Sequence, residues 1–454
     1  MKNCTLILLV GVLFLSCGEK EKTETQDKAT KTEYATSMVF RETPFADIRP
    51  AKKITKEESK NINHFQLDYD DQGRLVELKY LLNGRLKAYY DRFVRAPHIK
   101  IAYTDSSEIR TFYNEYGTRC LVSGSVYQTK IKLDENGKRE HLMFYGLEGQ
   151  PIENDFGIAS YKWQKTAENI ILEHRYDRDG NIKRNRPGFG YMVTEFQYGS
   201  NGLLSKMVNL GESGNQPTPD EAGVVSTKIG YDEHGRFTQW LNLDGQDQPI
   251  KGMSVIAEIR YIPSEYSGEE DAVFIDENGD PQNTRWGAHR VMYEFDVFGN
   301  ELTRRFRDTL NQPLNVSGNL GLAKSTWTED GMYRKERTYF NISNEAAGIG
   351  QNGIHKIKTF FDAKGNPVCT SSYDLEDNLV IDPSRGYAKD SLTFDNQNRL
   401  IARQFFDTTN SLADHNTWAV ASFKYSYNEK GELLAVETKN AAGEITTPQW
   451  NPVH

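Results

Sequence analysis

The stretch Tyr231-Asp232-Glu233-His234-Gly235 is the clearest copy of a turn signal that returns about every 33 residues along the chain. Its aspartate can accept hydrogen bonds from its own backbone and its glycine can take a positive φ, which together predict a short hairpin loop with a bulge. A fixed period of this length is typical of stacked supersecondary units, so the sequence predicts a repeat protein. The first series of turn positions is Gly73, Asp105, Gly137, Asn169, Gly202, Gly235, Gly268, Gly299, Gly331, Gly365, Asn398 and Gly431.

Two further series of turn residues keep the same period. The second series is Gly84, Gly117, Gly149, Gly180, Gly214, Gly245, Gly279, Asn311, Asn344, Asn378, Asn410 and Gly443. The third series is Gly124, Gly157, Gly190, Gly223, Gly252, Gly287, Gly321, Gly353 and Gly386, and it marks where each repeat enters its next strand. Asparagine replaces glycine at Asn169 and Asn398, where we expect a left-handed backbone.

The segments between the turns have the pattern of β-strands. They are rich in aromatic and β-branched residues and alternate with a period of two. The residues that we expect to share a face within one strand are Phe65, Leu67 and Tyr69; Val291, Tyr293 and Phe295; and Phe423, Tyr425 and Tyr427. What repeats is therefore a β unit rather than a helical one.

Length and composition set the scale of the array. The chain has 454 residues, of which 37% are hydrophobic and 11% aromatic. About twelve repeats would supply some two dozen strands, more than one globular core organises. We therefore expect an all-β fold in which tandem β-hairpin repeats stack as an open or spiral antiparallel meander. A closed propeller or barrel would also remove exposed strand edges and stays an alternative.

The N-terminal segment predicts export. Met1-Lys2-Asn3 is a short basic start, and the apolar run from Thr5 to Ser16 is too short to cross a bilayer as a helix, so residues 1–16 are interpreted as a signal peptide. The stretch from Phe14 to Cys17 resembles the lipobox of bacterial lipoproteins. The resemblance implies cleavage before Cys17, lipidation of Cys17 and, with Gly18 following, an outer-membrane location. A plain secretory signal is the alternative.

The segment after Cys17 is strongly polar. Residues 17–37 are interpreted as a lipidated, disordered tether, because almost all of them are charged, polar or alanine and cannot bury enough surface to fold. Glu19-Lys20-Glu21-Lys22 resembles export signals that place lipoproteins on the cell surface, but mixed charge also suits a soluble linker, so the membrane face stays undecided. An N-terminal lead-in over 38–60 and about twelve β repeats over 61–454 complete the predicted organisation.

Charge argues against a nucleic-acid partner. The formal net charge is −9 and the isoelectric point is about 5.6, so the chain lacks a basic footprint. Two local clusters, Arg304-Arg305-Phe306-Arg307 and Arg334-Lys335-Glu336-Arg337, are expected on solvated strand faces, paired with neighbouring carboxylates. An anionic ligand is the alternative for these clusters.

The two cysteines outside the N-terminal segment are expected to be unbridged. Cys120 and Cys369 lie more than seven repeats apart in the sequence. In a straight array with two strands per repeat, about 4.8 Å each, they would be roughly 70 Å apart. A disulfide requires Cα atoms within about 7 Å.

Motifs of enzymes and metal sites are missing from the sequence. There is no His-Glu-x-x-His, Cys-x-x-Cys, Gly-x-Ser-x-Gly or phosphate-binding glycine loop. Acidic turns such as Asp276-Glu277-Asn278-Gly279 contain oxygen ligands but not the regular series of a calcium loop, and hairpin chemistry explains them. We therefore expect no enzyme, no cofactor and no metal.

Tryptophans are the best candidates for a recognition surface. Trp286 and Trp418 both lie in the connection after a second-series turn, where a repeat array presents its variable face. We treat these two residues as the candidate binding surface, with the hydrophobic core as the alternative location.

The Tyr-Asp-x-x-Gly turns resemble the YD repeats of the RHS superfamily. The resemblance is carried by Tyr176-Asp177 through Gly180, Tyr231-Asp232 through Gly235 and Phe361-Asp362 through Gly365, and it extends over most of residues 61–454. It implies a spiral β shell, which in some relatives encloses a C-terminal toxin and in others is displayed on cell surfaces. Only Glu444 to His454 follow Gly443, so we do not expect an enclosed toxin here.

Three functions remain open at the level of sequence. The favoured hypothesis is a non-enzymatic binding or scaffold lipoprotein of the bacterial outer membrane that presents a long β surface to a protein or glycan partner. The second is a carbohydrate-active enzyme whose paired carboxylates come from distant repeats. The third is an accessory subunit of an outer-membrane export or uptake complex.

Overall fold

A computed structural model describes residues 29–88, 95–186, 189–266, 271–316 and 319–448. In this part of the chain, 28 strands and one short helix form a single open antiparallel sheet with its loops. The elements are β1 (Lys31–Ala35), β2 (Lys53–Ile54), α1 (Lys56–Ser59), β3 (His64–Tyr69), β4 (Leu75–Leu82), β5 (Arg85–Leu86), β6 (His98–Thr104), β7 (Ser107–Tyr113), β8 (Gln128–Leu133), β9 (Arg139–Tyr145), β10 (Pro151–Ile152), β11 (Ser160–Ala167), β12 (Ile170–Tyr176), β13 (Thr194–Tyr198), β14 (Leu204–Asn209), β15 (Ser226–Tyr231), β16 (Phe237–Leu243), β17 (Glu258–Ile262), β18 (Asp271–Ile275), β19 (Arg290–Phe295), β20 (Glu301–Arg307), β21 (Leu322–Trp327), β22 (Arg334–Phe340), β23 (Lys356–Phe361), β24 (Pro367–Tyr373), β25 (Lys389–Phe394), β26 (Leu400–Phe406), β27 (Ser422–Tyr427) and β28 (Leu433–Lys439).

The strands pair in chain order. From β3 onward each long strand lies antiparallel to the long strand before it and the long strand after it. The short strands β5 and β10 pair with β4 and β9, while β1 lies between β2 and β3. The described residues contain twelve hairpins of long strands, from β3–β4 to β27–β28. The predicted all-β hairpin meander is confirmed, and it is open rather than closed.

The predicted tether extends too far toward the C terminus. Lys31–Ala35 is not disordered but forms β1, in which Thr32 Oγ1 donates a hydrogen bond to Asp68 Oδ1 at 2.6 Å. Polar composition does not prevent this, because pairing with the free edge of β3 requires backbone groups rather than an apolar period. The signal peptide, Cys17 and the tether up to residue 28 lie outside the described residues.

Most of the described first-series turns have the predicted chemistry. Asp232 Oδ1 accepts hydrogen bonds from the backbone N–H groups of His234 and Arg236, both at 2.9 Å, and Gly235 has a φ of +78°. Asn398 takes the expected left-handed conformation, with a φ of +61°. The same expectation is wrong for Asn169, which has no positive φ; Ala167 pairs directly with Ile170 and closes a shorter hairpin there.

Residues that were predicted to share one face of a strand lie on a buried face of the sheet. Phe65 and Leu67 are buried in the main hydrophobic cluster and Tyr69 packs against it, while Phe423 and Tyr425 are buried in a second cluster near the C-terminal end. The strands therefore bury one face and leave the other to solvent.

Aromatic residues that precede the first-series turns connect neighbouring repeats. Tyr103 Oη donates a hydrogen bond to the carbonyl of Leu75 at 3.2 Å, and Tyr427 Oη donates to the carbonyl of Leu400 at 2.8 Å. Trp327 Nε1 makes the same contact with the carbonyl of Glu301 at 3.0 Å. The ring of each tyrosine or tryptophan thus packs in the core, while its polar group donates a hydrogen bond to a backbone carbonyl of the preceding repeat.

The N-terminal lead-in packs inside the sheet. Its residues 36–51, here termed the plug segment, run along the concave face of the N-terminal repeats. Phe40 stacks on Phe237 with ring centroids 4.3 Å apart, and Arg49 Nη2 donates to the carbonyl of Gly202 at 2.5 Å. The buried side chains of Phe40 and Ile48 belong to the same hydrophobic cluster as the inward residues of the strands. The plug segment is therefore part of the core.

The sheet curls until its C-terminal repeats lie on its N-terminal ones. The backbone N–H of Asn63 donates to the carbonyl of Phe298 at 2.9 Å, and the hydroxyls of Thr118 and Tyr427 are 3.0 Å apart. Repeats distant in sequence are thus in contact, and the straight array assumed for the separation of Cys120 and Cys369 is wrong. Both cysteines are nevertheless free thiols.

Candidate functional site

A large cavity lies at the end of the sheet where the first-series turns meet. It has a volume of about 1510 Å³ and is bordered by the turns of the six N-terminal hairpins and by residues between Lys31 and Lys53. We call it the mouth cavity. Its size exceeds the roughly 300–1,000 Å³ usual for small-molecule sites. The cavity can therefore hold a chain-like ligand such as an oligosaccharide or a peptide segment.

An ionic network forms one wall of the mouth cavity, with Glu108, Arg110 and Arg139 on its buried side and Asp47 on its exposed side. Arg139 Nη2 lies 2.8 Å from Glu108 Oε2, and Arg139 Nη1 lies 2.9 Å from Asp47 Oδ1 of the plug segment. Arg110 contacts the other oxygen of Glu108 at 2.6 Å. Burial alone would raise the pKa of Glu108, but the charges of Arg110 and Arg139 lower it below its ordinary value. Glu108 is therefore a fixed carboxylate that orders the wall, not a proton donor at neutral pH.

Exposed charges of both signs surround the mouth cavity. Lys138, Lys165, Glu168 and Glu233 all border it, and each is exposed to solvent. Tyr69 and Tyr103 line it with half-buried rings. Aromatic faces between charged groups suit a polar partner with some apolar surface, which is the chemistry of glycans and of protein loops.

Trp286 is the more exposed of the two tryptophans predicted to bind a partner. Its side chain is 38% exposed, and its ring packs edge-on against Phe274 and Phe306, with both centroid distances 5.8 Å. It lies near the concave face of β18 and β20, outside the lining of the mouth cavity. Part of the ring is available to a partner and the rest is held by the core.

Trp418 is engaged within the protein. Its Nε1 donates to the carbonyl of Gly124 at 2.8 Å, and its ring stacks on His415 at a centroid distance of 4.0 Å. Burial and the charge of Arg403 lower the pKa of His415 to about 4, so this ring is neutral at pH 7. Trp418 connects C-terminal repeats to N-terminal ones, and the structure does not bring it together with Trp286.

The role of the plug segment at this site was not predicted from the sequence. Asp47 and the carbonyl of Phe45 both bind Arg139, the latter at 2.6 Å, so the lead-in supplies part of the wall. The available signal was composition: Val39, Phe40, Phe45 and Ile48 make this stretch more apolar than the polar segment before it. Periodicity alone could not find it, because the segment is not a repeat.

The described residues contain neither a cluster of metal ligands nor a helix that could span a membrane. No three His, Cys, Asp or Glu side chains in this part of the chain are grouped so that they could hold a metal ion. Among the same residues, no helix is both long and apolar enough to cross a membrane.

The fold defines a class of proteins, those built from tandem antiparallel β-hairpins. No family model matches the sequence, and no curated protein matches it either. Among solved structures, the chain is similar to the crystal structure of TcdB2-TccC3-TEV, with 11% identity and a TM-score of 0.30, and to that of TcdB2-TccC3-Cdc42, with 10% identity and a TM-score of 0.32. Each alignment covers 85% of this chain and 22% of the other, so the chain spans about a fifth of those proteins. At these values the similarity assigns neither a family nor a function.

Proposed function

We propose that this protein is a non-enzymatic binding or scaffold lipoprotein of the bacterial outer membrane. In this proposal Cys17 carries the lipid and the hairpin array presents a partner-binding surface. The observation that carries the binding role is the mouth cavity, whose volume, ionic wall and exposed rim charges suit a protein loop or a glycan.

The rigidity of the wall supports the proposal. Glu108, Arg110 and Arg139 are held by one another and by the plug segment, so a partner would meet groups that are already ordered. Ordered groups lose little conformational entropy on binding, which favours affinity. The lipid anchor is supported by the residues from Phe14 to Cys17 alone.

Affinity capture from detergent-solubilised envelopes, followed by mass spectrometry, tests the binding role. The bait is the full chain, compared with a variant carrying K138E and K165E at the rim of the mouth cavity. We expect a specific protein or glycan to be captured by the parent chain and lost from the double variant. The matched control is K430E, which reverses an exposed lysine in a turn of the last described hairpin, away from the cavity.

Two results would count against the proposal. Capture that is equal for the parent and the rim variant would place the partner elsewhere. Glycan turnover by the isolated protein would replace the scaffold with a carbohydrate-active enzyme.

Anchoring is tested separately by fractionation. We expect the parent chain to sediment with outer membranes and C17S to be released, because the cysteine side chain would carry the diacyl group. Surface proteolysis of intact cells then decides which membrane face carries the protein. Equal sedimentation of both forms would contradict lipidation at Cys17.

A further inference from the structure

The inner face of β20–β22 carries an unusual set of charged side chains. Antiparallel partners share a face, and the pairs Tyr293–Arg304, Ser325–Arg337 and Trp327–Arg334 place all three arginines on the side of the buried clusters. From the sequence, these arginines were expected on solvated faces and paired with neighbouring carboxylates. The pairing is present for Arg304 and Arg337, which both bind Glu301. The solvated position is wrong for Arg304, Arg334 and Arg337, because strand alternation turns them inward.

Arg334 occupies a position that is apolar in most other repeats. The residue that pairs across the bulge after a first-series turn is Leu75, Leu204, Phe237 or Leu400 in other hairpins, and each of these is buried. Arg139 is charged at this position, but Glu108 and Asp47 neutralise it. The carboxylate that acts on Arg334 through its charge is Glu301, but Glu301 forms its ion pairs with Arg304 and Arg337 and none with Arg334.

Several donors of this cluster lack an acceptor in the described residues. Glu301 binds Arg337 at 2.8 Å and Arg304 at 3.1 Å, so its two carboxylate oxygens are already engaged. Arg334 makes no hydrogen bond or ion pair with any described residue. Arg337 Nε and Ser325 Oγ, on adjacent positions of neighbouring strands, are buried without a hydrogen-bond partner.

The protonated form of Arg334 is disfavoured at this position. Burial and the nearby charge of Arg337 lower the pKa of Arg334 to about 10. A partly buried guanidinium next to a second cation is unfavourable unless an anion joins them. Planar N–H donors in a fork match the geometry of oxyanions.

We propose that Arg334, Arg337 and Ser325 form a binding site for an oxyanion, a sulfate, phosphate or carboxylate group, on the concave face of the C-terminal repeats. Arg334 supplies the charge and a planar pair of donors, Arg337 adds Nε–H, and the Ser325 hydroxyl gives a third contact. The site lies outside the mouth cavity and does not depend on the function proposed above.

Thermal unfolding of the full chain with sodium sulfate, sodium phosphate or sodium chloride at equal ionic strength tests this site. A ligand that binds only the folded state raises the midpoint by mass action. We expect sulfate and phosphate, but not chloride, to raise the midpoint of the parent chain. Titration calorimetry with oligogalacturonate and with a neutral oligosaccharide then distinguishes an acidic glycan from a free inorganic ion.

The variants R334L and S325A provide the decisive comparison. We expect R334L to bind sulfate about 10- to 100-fold more weakly and S325A about tenfold more weakly. Without ligand, R334L should unfold at the same temperature as the parent chain or higher, because leucine is accepted at this position in other repeats. The control R305Q removes an arginine from the opposite face of β20 and should keep the sulfate effect.

Three outcomes of these experiments would contradict an oxyanion site at Arg334. An equal response of the parent chain and R334L to sulfate, or no response beyond that to chloride, would contradict it. A lower midpoint for R334L without ligand would mean that the chain itself supplies the partner of Arg334. If R334L does not fold, R334Q is compared with R305Q in the same calorimetric titration.

Discussion

At the residue scale, the turn aspartates and asparagines close the hairpin loops of the repeats. Each uses one side-chain oxygen to accept two backbone N–H groups of its own turn, as Asp232 and Asp362 do. These groups would otherwise need water at the end of a tightly packed hairpin. The sequence could predict this role because the interaction is local.

Removing one buried turn aspartate is expected to destabilise the protein measurably. Asp70 is 2% exposed and accepts bonds from the backbone of Gln72 at 3.0 Å and of Arg74 at 2.7 Å. D70A removes the acceptor of both backbone N–H groups and the carboxylate that pairs with the Arg74 guanidinium at 2.7 Å, so we expect a loss of about 1–3 kcal/mol in the free energy of unfolding, measured by urea denaturation. D71A, which changes the exposed neighbour in the same turn, is the control. Equal effects of both variants would contradict the role of Asp70.

Acid is expected to weaken the turns collectively. A backbone hydrogen bond from Lys138 lowers the pKa of Asp134, and hydrogen bonds from Asn366 lower the pKa of Asp362. Since these values are lower in the folded state than in the unfolded one, the stabilisation is present above about pH 4 and is lost as pH falls through the folded-state pKa. We expect the thermal midpoint to fall steeply below about pH 4.

Asparagine variants check the origin of this acid effect. D134N and D362N keep an accepting oxygen but cannot titrate, as in the natural turn at Asn114. We expect the double variant to lose less stability than the parent chain between pH 5 and about pH 3. Identical pH profiles would show that other carboxylates dominate.

At the scale of elements, the plug segment forms a second layer that packs on the concave face of the N-terminal part of the sheet. A meander of one sheet exposes its concave face, and in the N-terminal repeats the plug segment covers that face with Phe40, Ile48 and their neighbours. Polar anchors fix the segment: Glu42 accepts bonds from Asn185 and Arg186, both at 2.8 Å. The lead-in therefore contributes buried apolar contacts and polar anchors to the repeats that follow it.

Truncating Phe40 is expected to destabilise the N-terminal repeats strongly. Its side chain is 3% exposed and contacts Phe237 and Trp240. F40A removes a fully buried aromatic ring, so we expect a loss of about 3–5 kcal/mol, measured by denaturation and by hydrogen exchange in β15 and β16. F360A, at a ring that is 39% exposed on β23, should cost much less. Similar losses for both variants would mean that the plug segment does not support the sheet.

At the scale of the whole molecule, contacts between distant repeats set the curl of the sheet. Lys87, which is 4% exposed, donates to Asn300 Oδ1 and to the carbonyl of Gly331, and its ammonium group lies 4.6 Å from the ring centroid of Trp327. Burial lowers the pKa of Lys87 to about 7. A titratable group is thus enclosed where C-terminal repeats rest on N-terminal ones.

The stability of this contact is expected to increase between pH 7 and pH 10. The folded-state pKa of Lys87 lies below its unfolded value, so the unfolded chain binds more protons in this range and stability rises with pH. We expect the difference in thermal midpoint between the parent chain and K87M to shift in favour of the parent as pH rises from 7 to about 10. A pH-independent difference would contradict the lowered pKa.

The sequence by itself determined the β class, the twelve-fold hairpin repeat, the turn chemistry and the inward aromatic residues. All of these follow from interactions within one hairpin or between neighbouring hairpins, which leave a mark at a fixed spacing. Asp232, Gly235 and Phe65 could be assigned because their partners lie within the same repeat or the next one.

Only the tertiary structure decided the curl, the plug segment and the mouth cavity. These features depend on residues that are more than one repeat apart, such as Trp418 with Gly124 or Asp47 with Arg139. Long-range packing selects one geometry from many that a repeat permits, because small rotations between hairpins accumulate along the array. The repeat period in the sequence does not indicate how large the accumulated rotation is.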